Sequence, residues 1–228
     1  MAETTHIAVI PSAGFSHIVP IVEFSKRLVH LHPDFHVHCI IPSLGPLSSS
    51  SKSFLQTLPS NINPIFLPQV PNNLPHDNHR HGLQIQRTVT LSLPHIREAL
   101  NSLMSSSNNI KLSALIVDVF AVEVLDFASE LKVLSYVYFP LSAMLLSMYF
   151  YIPKLDKIVS CEYRDLQDPI EMPGCVPVHG RDLTGSVQDR SSQVYSQFLE
   201  RTRRFGIADG ILVNSFTELE GSDDKGLG

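Results

Sequence analysis

An α/β fold built on a parallel sheet is predicted by three features of the sequence. Short apolar runs that stop at Pro, Ser or Gly alternate with longer segments whose apolar residues recur every three or four positions. The alternation repeats along the chain, as strands joined by crossover helices do, and calls for a Rossmann-like parallel sheet with helices on both faces. The chain's 228 residues, 43% of them hydrophobic, are also enough for one large domain, or two small ones, with a real core.

The elements follow in order. "HIAVIP" (His6 to Pro11) reads as a buried strand. "IVPIVEFSKRLVHL" places Ile18, Ile21, Val22, Leu28 and Val29 on one helical stripe, with Pro20 expected in the first turn, where a missing N–H loses no partner. "FHVHCIIP" is a second strand. A Ser-rich loop follows, then a short helix near Phe54 to Leu58 and a third strand, "INPIFLP". The Pro-, Asn- and His-rich stretch "PQVPNNLPHDNHRHG" reads as a long loop.

A helix is expected from about Leu83 to Met104, kinked or broken at Pro94. "SALIVDVF" (Ser113 to Phe120) reads as a central strand and "AVEVLDFASEL" as the next helix. "KVLSYVYFP" is a strand and "SAMLLSMYFYIPKLDKIV" a helix. Residues 160–192 look irregular. A polar helix, "VYSQFLERTRRFGIADG", and a last strand, "GILVNSFTELE", complete the pattern. "GSDDKGLG" (221–228) has no cap or period and is expected to be a disordered tail.

Bulk properties exclude several classes. The net charge of −5 offers no general attraction to nucleic acid or anionic membranes, and Arg201, Arg203 and Arg204 are expected on a solvated helix face. The longest apolar run, "YVYFPLSAMLLSMYFYIP", is interrupted by Pro140 and Ser142 and reads as a strand, a turn and a buried helix, not a membrane span. "MAETT" has no signal-peptide character. Three cysteines without a C-x-x-C pair argue against a disulfide framework or a zinc knot. Together these point to a cytoplasmic protein. No metal is expected: His76, His79 and His81 lie close in sequence, but no predicted element holds them in register and no cysteine joins them.

In an open parallel sheet, ligands sit beyond the carboxyl ends of the strands. Two ionisable residues fall there. His17 follows the first strand, and Asp118 lies near the end of "SALIVDVF" in an apolar run. A carboxylate so placed needs a charged or hydrogen-bonding partner. An imidazole would serve, with one ring nitrogen donating to the acid and the other free to take a proton. Such a pair suits deprotonation of a hydroxyl nucleophile. The alternative reading makes His17 a solvated loop residue and Asp118 a helix cap. The turn "SAGFSH" contains one glycine, so it is neither a dinucleotide fingerprint nor a P-loop, and no G-x-S-x-G elbow is present.

"HIAVIPSAGFSHIVPIVEFSKRLV", "ALIVDVF", "FPLSAMLLSMYFYIPKLDKIVSCEYRDL", "MPGCVPVHGRDL" and "GILVNSFTELE" occur in this order. Together, from His6 to Glu220, they resemble the N-terminal half of the plant family 1 UDP-dependent glycosyltransferases, in particular the hydroquinone and monolignol branch. The resemblance implies the acceptor-binding N-terminal lobe of a two-lobed GT-B fold over residues 1–220. It implies a reaction in which glucose passes from UDP-glucose to a phenolic hydroxyl with inversion. The UDP-sugar is then a co-substrate, a small phenol is the acceptor, and no cofactor is required.

The family's catalytic histidine and its aspartate fall on His17 and Asp118. Substrate-binding positions fall on Gly14, Ser16, Ile85, Phe120, Ser142 and Phe150. Of these, Ser16 stands where many relatives have glycine, Ser142 equally suits a helix N-cap, and Ile85, Phe120 and Phe150 equally suit a core. The donor-binding signature, which opens with tryptophan, has no counterpart in a chain with no tryptophan. The donor lobe is therefore expected to be absent and the chain truncated and inactive alone, binding UDP-sugar only if a donor lobe is supplied. A non-catalytic module that binds an acceptor or pairs with a full-length relative is the alternative.

Overall fold

The computed structural model describes residues 4–43, 45–46, 49–71, 81–105 and 110–220. Residues 221–228, expected to be a tail, and His76 and His79 lie outside the described residues, as does the side chain of His81. The strands are β1 (Thr5–Ile10), β2 (Phe35–Ser43), β3 (Ile62–Gln69), β4 (Leu112–Asp118), β5 (Leu134–Phe139) and β6 (Gly210–Val213). The α-helices are α1 (Phe15–Leu31), α2 (Ser49–Gln56), α3 (His81–Ser105), α4 (Leu125–Leu131), α5 (Ala143–Ile158), α6 (Gln193–Phe205) and the short α7 (Thr217–Glu220). The strands form one six-stranded sheet in the order β3-β2-β1-β4-β5-β6, parallel and flanked by helices. This is the Rossmann-like architecture that the alternating pattern predicts. The chain divides into two compact units, Met1–Tyr138 with Ala208–Ile211 and Phe139–Ile207 with Leu212–Gly228.

In the first unit the central strands are apolar and buried almost end to end. Ile7 to Ile10 on β1 and Leu115 to Val117 on β4 are 5% exposed or less. Continuous burial is what a parallel strand covered on both faces requires. Strand β3 differs: it carries Pro64 and Pro68, and Phe66 is 52% exposed. Proline cannot donate to a ladder, so a strand with two of them belongs at a sheet edge. That is where β3 lies.

The expectations about helices need adjustment in several places. Helix α1 starts at Phe15, two residues before His17, so Pro20 lies beyond the first turn and leaves a carbonyl four residues earlier without its N–H. The fold tolerates this loss, and the Tyr138 hydroxyl donates to the Pro20 carbonyl at 3.1 Å. Ser25, not Leu28, completes the buried stripe, because its hydroxyl is satisfied by the Ile21 carbonyl at 2.8 Å. Of the two outcomes expected at Pro94, a break is excluded, since α3 runs on through it. Ile85, Val89, Ile96 and Leu100, all buried on either side of the proline, anchor both halves, and tertiary packing of this kind outweighs local propensity. The short helix after β2 begins in the Ser-rich segment, at Ser49.

In the second unit, Tyr149 on α5 packs against Phe198 and Phe205 on α6, with ring centroids 4.6 and 6.0 Å apart. Arg190 closes the carboxyl end of α5: its guanidinium donates to the carbonyls of Asp156 (3.0 Å) and Val159 (2.6 Å) and pairs with the Asp156 carboxylate at 3.0 Å. These are the carbonyls that a helix end leaves unsatisfied. The irregular 160–192 stretch is organised by turns and by an antiparallel bridge between Ile170 and Val178. Gly180 is obligatory there, since a Cβ would fall 1.7 Å from the Tyr163 carbonyl oxygen. Arg201 is not on a solvated face; it is 5% exposed, with its guanidinium over the Phe198 ring. The last predicted strand ends at Val213 and gives way to α7.

Three histidines gather on the first two strands. The β1–β2 register sets His6 opposite His36, and His6 Nδ1 lies 3.1 Å from His38 Nε2. His38 is 7% exposed and lines a groove of about 460 Å³ between β3 and α3, with Asn63, His95 and Glu98. Burial first, and then the neighbouring His6 and His36, bring the His38 pKa down from 6.5 to about 4. The folded state therefore holds this ring neutral. Its contribution to stability is complete above about pH 6.5 and is lost as the pH falls toward about 4. Urea midpoints measured across that window should fall less steeply in His38→Gln than in the unmodified chain.

Gly14 precedes α1 with φ 117° and ψ 143°, a conformation that suits glycine alone, and an added Cβ would meet nothing within 4 Å. Gly14→Ala is thus expected to cost about 1–3 kcal/mol through backbone strain alone. Chemical denaturation would read this as a lower midpoint with an unchanged slope.

Candidate active site

The strand order reverses between β1 and β4, which are neighbours although β2 and β3 come between them in sequence. Connections leaving the two strands run to opposite sides at such a point and open a crevice at the carboxyl ends. The register pairs Ile10 with Val117, so the segment leaving β1 starts beside Asp118, the last residue of β4. Each group at the site is thus positioned by a strand end: Asp118 directly, and Ser12 and His17 by the turn that carries β1 into α1.

Asp118 is 1% exposed. Its Oδ2 lies 3.2 Å from His17 Nδ1. Its Oδ1 accepts the Ser12 hydroxyl and the Phe120 backbone N–H, the latter at 3.1 Å. The carboxylate needs all three, because a buried charge without donors costs several kcal/mol. A carboxylate can only accept, so the hydrogen between His17 and Asp118 sits on Nδ1. In a neutral ring so oriented, Nε2 is the acceptor. The His17 side chain is 17% exposed and stands edge-on to the Phe120 ring, with centroids 5.2 Å apart at 81°. The arrangement can take a proton at Nε2 while the acid steadies the ring.

The remaining predicted residues fall in two places. Gly14 and Ser16 are exposed on the turn that carries His17. Ile85 is 2% exposed on α3, whose Gly82 lies close enough that a Cβ there would sit 3.6 Å from the Phe120 ring. Contact is therefore made among His17, Asp118 and Phe120, with the start of α3 reaching Phe120. Ser142 and Phe150 belong to the second unit. Ser142 caps α5, its Oγ accepting the Leu145 N–H at 3.3 Å, and Glu220 accepts the Ala143 N–H at 2.9 Å. Phe150 is 39% exposed and meets Phe205 edge-on.

Two residues at the site carry no sequence signal. Ser12 is fully buried, yet a serine after a strand ordinarily reads as a turn residue. Tyr138 sits opposite Asp118 in the β4–β5 register, a pairing that appears only once the strands are aligned. Burial, and then the charge of Asp118, push its hydroxyl up to about 12, so it acts as a donor. Among the described residues, no group of three or more His, Cys, Asp or Glu is placed to hold a metal ion. Among the same residues, no helix is long and apolar enough to cross a membrane.

No protein-family model matches the chain. It is 45% identical over 228 residues to hydroquinone glucosyltransferase of Rauvolfia serpentina, covering 100% of this chain and 47% of that protein. It is 42% identical over 226 residues to UDP-glycosyltransferase 72B1 of Arabidopsis thaliana, covering 99% and 46%. Among solved structures, it superposes on a UDP-glucosyltransferase from Polygonum tinctorium capable of glucosylating indoxyl, with a TM-score of 0.91 and 39% identity over 99% of this chain and 50% of that one. Phytolacca americana UGT2, complexed with UDP-2-fluoro-glucose and pterostilbene, gives 0.89 at 39% identity, over 96% and 50%. The chain spans about half the length of the curated relatives it matches. By sequence and by fold, it is similar to the N-terminal half of plant family 1 UDP-dependent glycosyltransferases and matches the N-terminal lobe of their GT-B fold.

Proposed function

We propose that this chain is the acceptor-binding lobe of an inverting UDP-glucosyltransferase whose acceptor is a small phenol. The contact of His17 Nδ1 with Asp118 Oδ2 at the β1–β4 switch point carries the reading. His17 Nε2 takes the proton of the acceptor hydroxyl as its oxygen attacks the anomeric carbon of the sugar and the C–O bond to UDP breaks. Asp118 stabilises the imidazolium that forms. General-base help of this kind is worth about 10²–10⁴-fold in rate, and holding the acceptor in line supplies much of the remainder.

Gly14, Ser16, Ile85 and Phe120 are assigned to the acceptor side, with Phe120 offering an aromatic edge to a phenol ring. Ser142 and Phe150 are assigned to substrate contacts in the second unit. UDP-glucose enters as co-substrate and is held by a donor lobe, so the 228 residues by themselves bind acceptor without transferring sugar. The protein would work in the cytoplasm.

Hydroquinone added to the purified, isotope-labelled chain should shift the NMR signals of His17 and Phe120, and the response should fall in Phe120→Ala. Absence of any shift at these residues would remove the acceptor assignment. No glucose transfer from UDP-glucose is expected from the chain alone, whereas turnover abolished by His17→Ala would show that a separate donor lobe is not needed.

A further inference from the structure

We propose that Ser12 is a positioning residue that selects the tautomer of His17, an inference that rests on the reading of His17 as the base. The side chain of Ser12 is wholly buried, and its hydroxyl is spent on Asp118 Oδ1 across 106 positions of sequence. Buried serines usually return their proton to a nearby backbone carbonyl, as Ser25 does on α1. Ser12 instead ties β4 to the segment that leaves β1, the same segment that carries His17 five residues later.

The geometry shows what this bond does. Asp118 has two oxygens and three donors. The Phe120 amide is a local donor, two residues along the chain, and a carboxylate can turn about its own bond and still meet it. Ser12 comes from the segment that leaves the neighbouring strand and removes that freedom. With Ser12 and Phe120 both on Oδ1, Oδ2 is left facing His17 Nδ1.

The acid is 1% exposed, so bulk water offers no ready replacement for a lost hydroxyl. Without the Ser12 proton, Oδ1 becomes under-satisfied and the carboxylate gains a reason to swing away from His17. The ring then drifts toward the tautomer with hydrogen on Nε2, which cannot accept a proton from a substrate. Ser12 touches neither substrate nor the reacting atoms in this scheme; it acts through Asp118.

Long-range ¹H–¹⁵N correlation spectra of the full 228-residue chain report the tautomer of each histidine ring, and the His17 signals are assigned by their loss in His17→Gln. The unmodified chain should show His17 with hydrogen on Nδ1. In Ser12→Ala, the ratio of Nδ1–H to Nε2–H forms at His17 should fall by about two- to tenfold, the size of one net hydrogen bond, with the His38 and His95 rings unchanged. Ser12→Thr, which keeps the hydroxyl, should restore the ratio, and Ser12→Cys, close in volume but a weak donor, should resemble the alanine variant. An unaltered His17 ratio in folded Ser12→Ala and Ser12→Cys overturns the role of Ser12 and leaves the His17–Asp118 pair standing. Loss of folding in both variants marks Ser12 as a structural residue and likewise overturns it. Hydrogen on Nε2 in the unmodified chain overturns the pairing itself, and with it both readings.

Discussion

A single buried carboxylate organises the candidate site. Asp118 ends a central strand at 1% exposure, where an ionised acid is tolerated only with full hydrogen bonding. Its three donors come from three different kinds of position: a strand-end turn (Ser12), the backbone two residues on (Phe120) and the first turn of α1 (His17). Satisfying the acid therefore fixes the imidazole. The same demand explains why His17 faces inward, although its position near a helix start would also suit a solvated residue.

The sheet makes that convergence possible. At the β1–β4 boundary the strand order reverses, and connections that leave for opposite sides at such a point let a side chain at the end of one strand meet a side chain carried by the segment that leaves the other. Gly14 lets the chain reverse there through a backbone angle that other residues adopt only under strain. Phe120, which the start of α3 approaches, then sets its ring beside the imidazole.

The relatives and the neighbouring structures agree on architecture across nearly the whole chain and about half of theirs. Identity near 40% at TM-scores close to 0.9 carries the fold to individual strands. Likeness of fold does not carry ligand choice with it, since residues that line pockets lie on loops and helix starts whose side chains vary without disturbing the sheet.

The sequence by itself determined the class of fold, most strands, the long helices among the described residues and the pairing of His17 with Asp118. These are legible because apolar periodicity is local, and because an aspartate at the end of a buried apolar run and a histidine after the first strand stand out against their surroundings. Helix starts and proline tolerance were not legible: Pro20 and Pro94 are carried by packing on distant residues, not by their neighbours in sequence. Arg201 and Ser12 show the same limit, one a charged residue that turns inward over Phe198 and the other a turn serine that turns out to hold the acid. Their roles arise from partners 3 and 106 positions away, and for Ser12 only the tertiary structure brings donor and acceptor together, because a hydrogen bond depends on distance in space and not on separation along the chain.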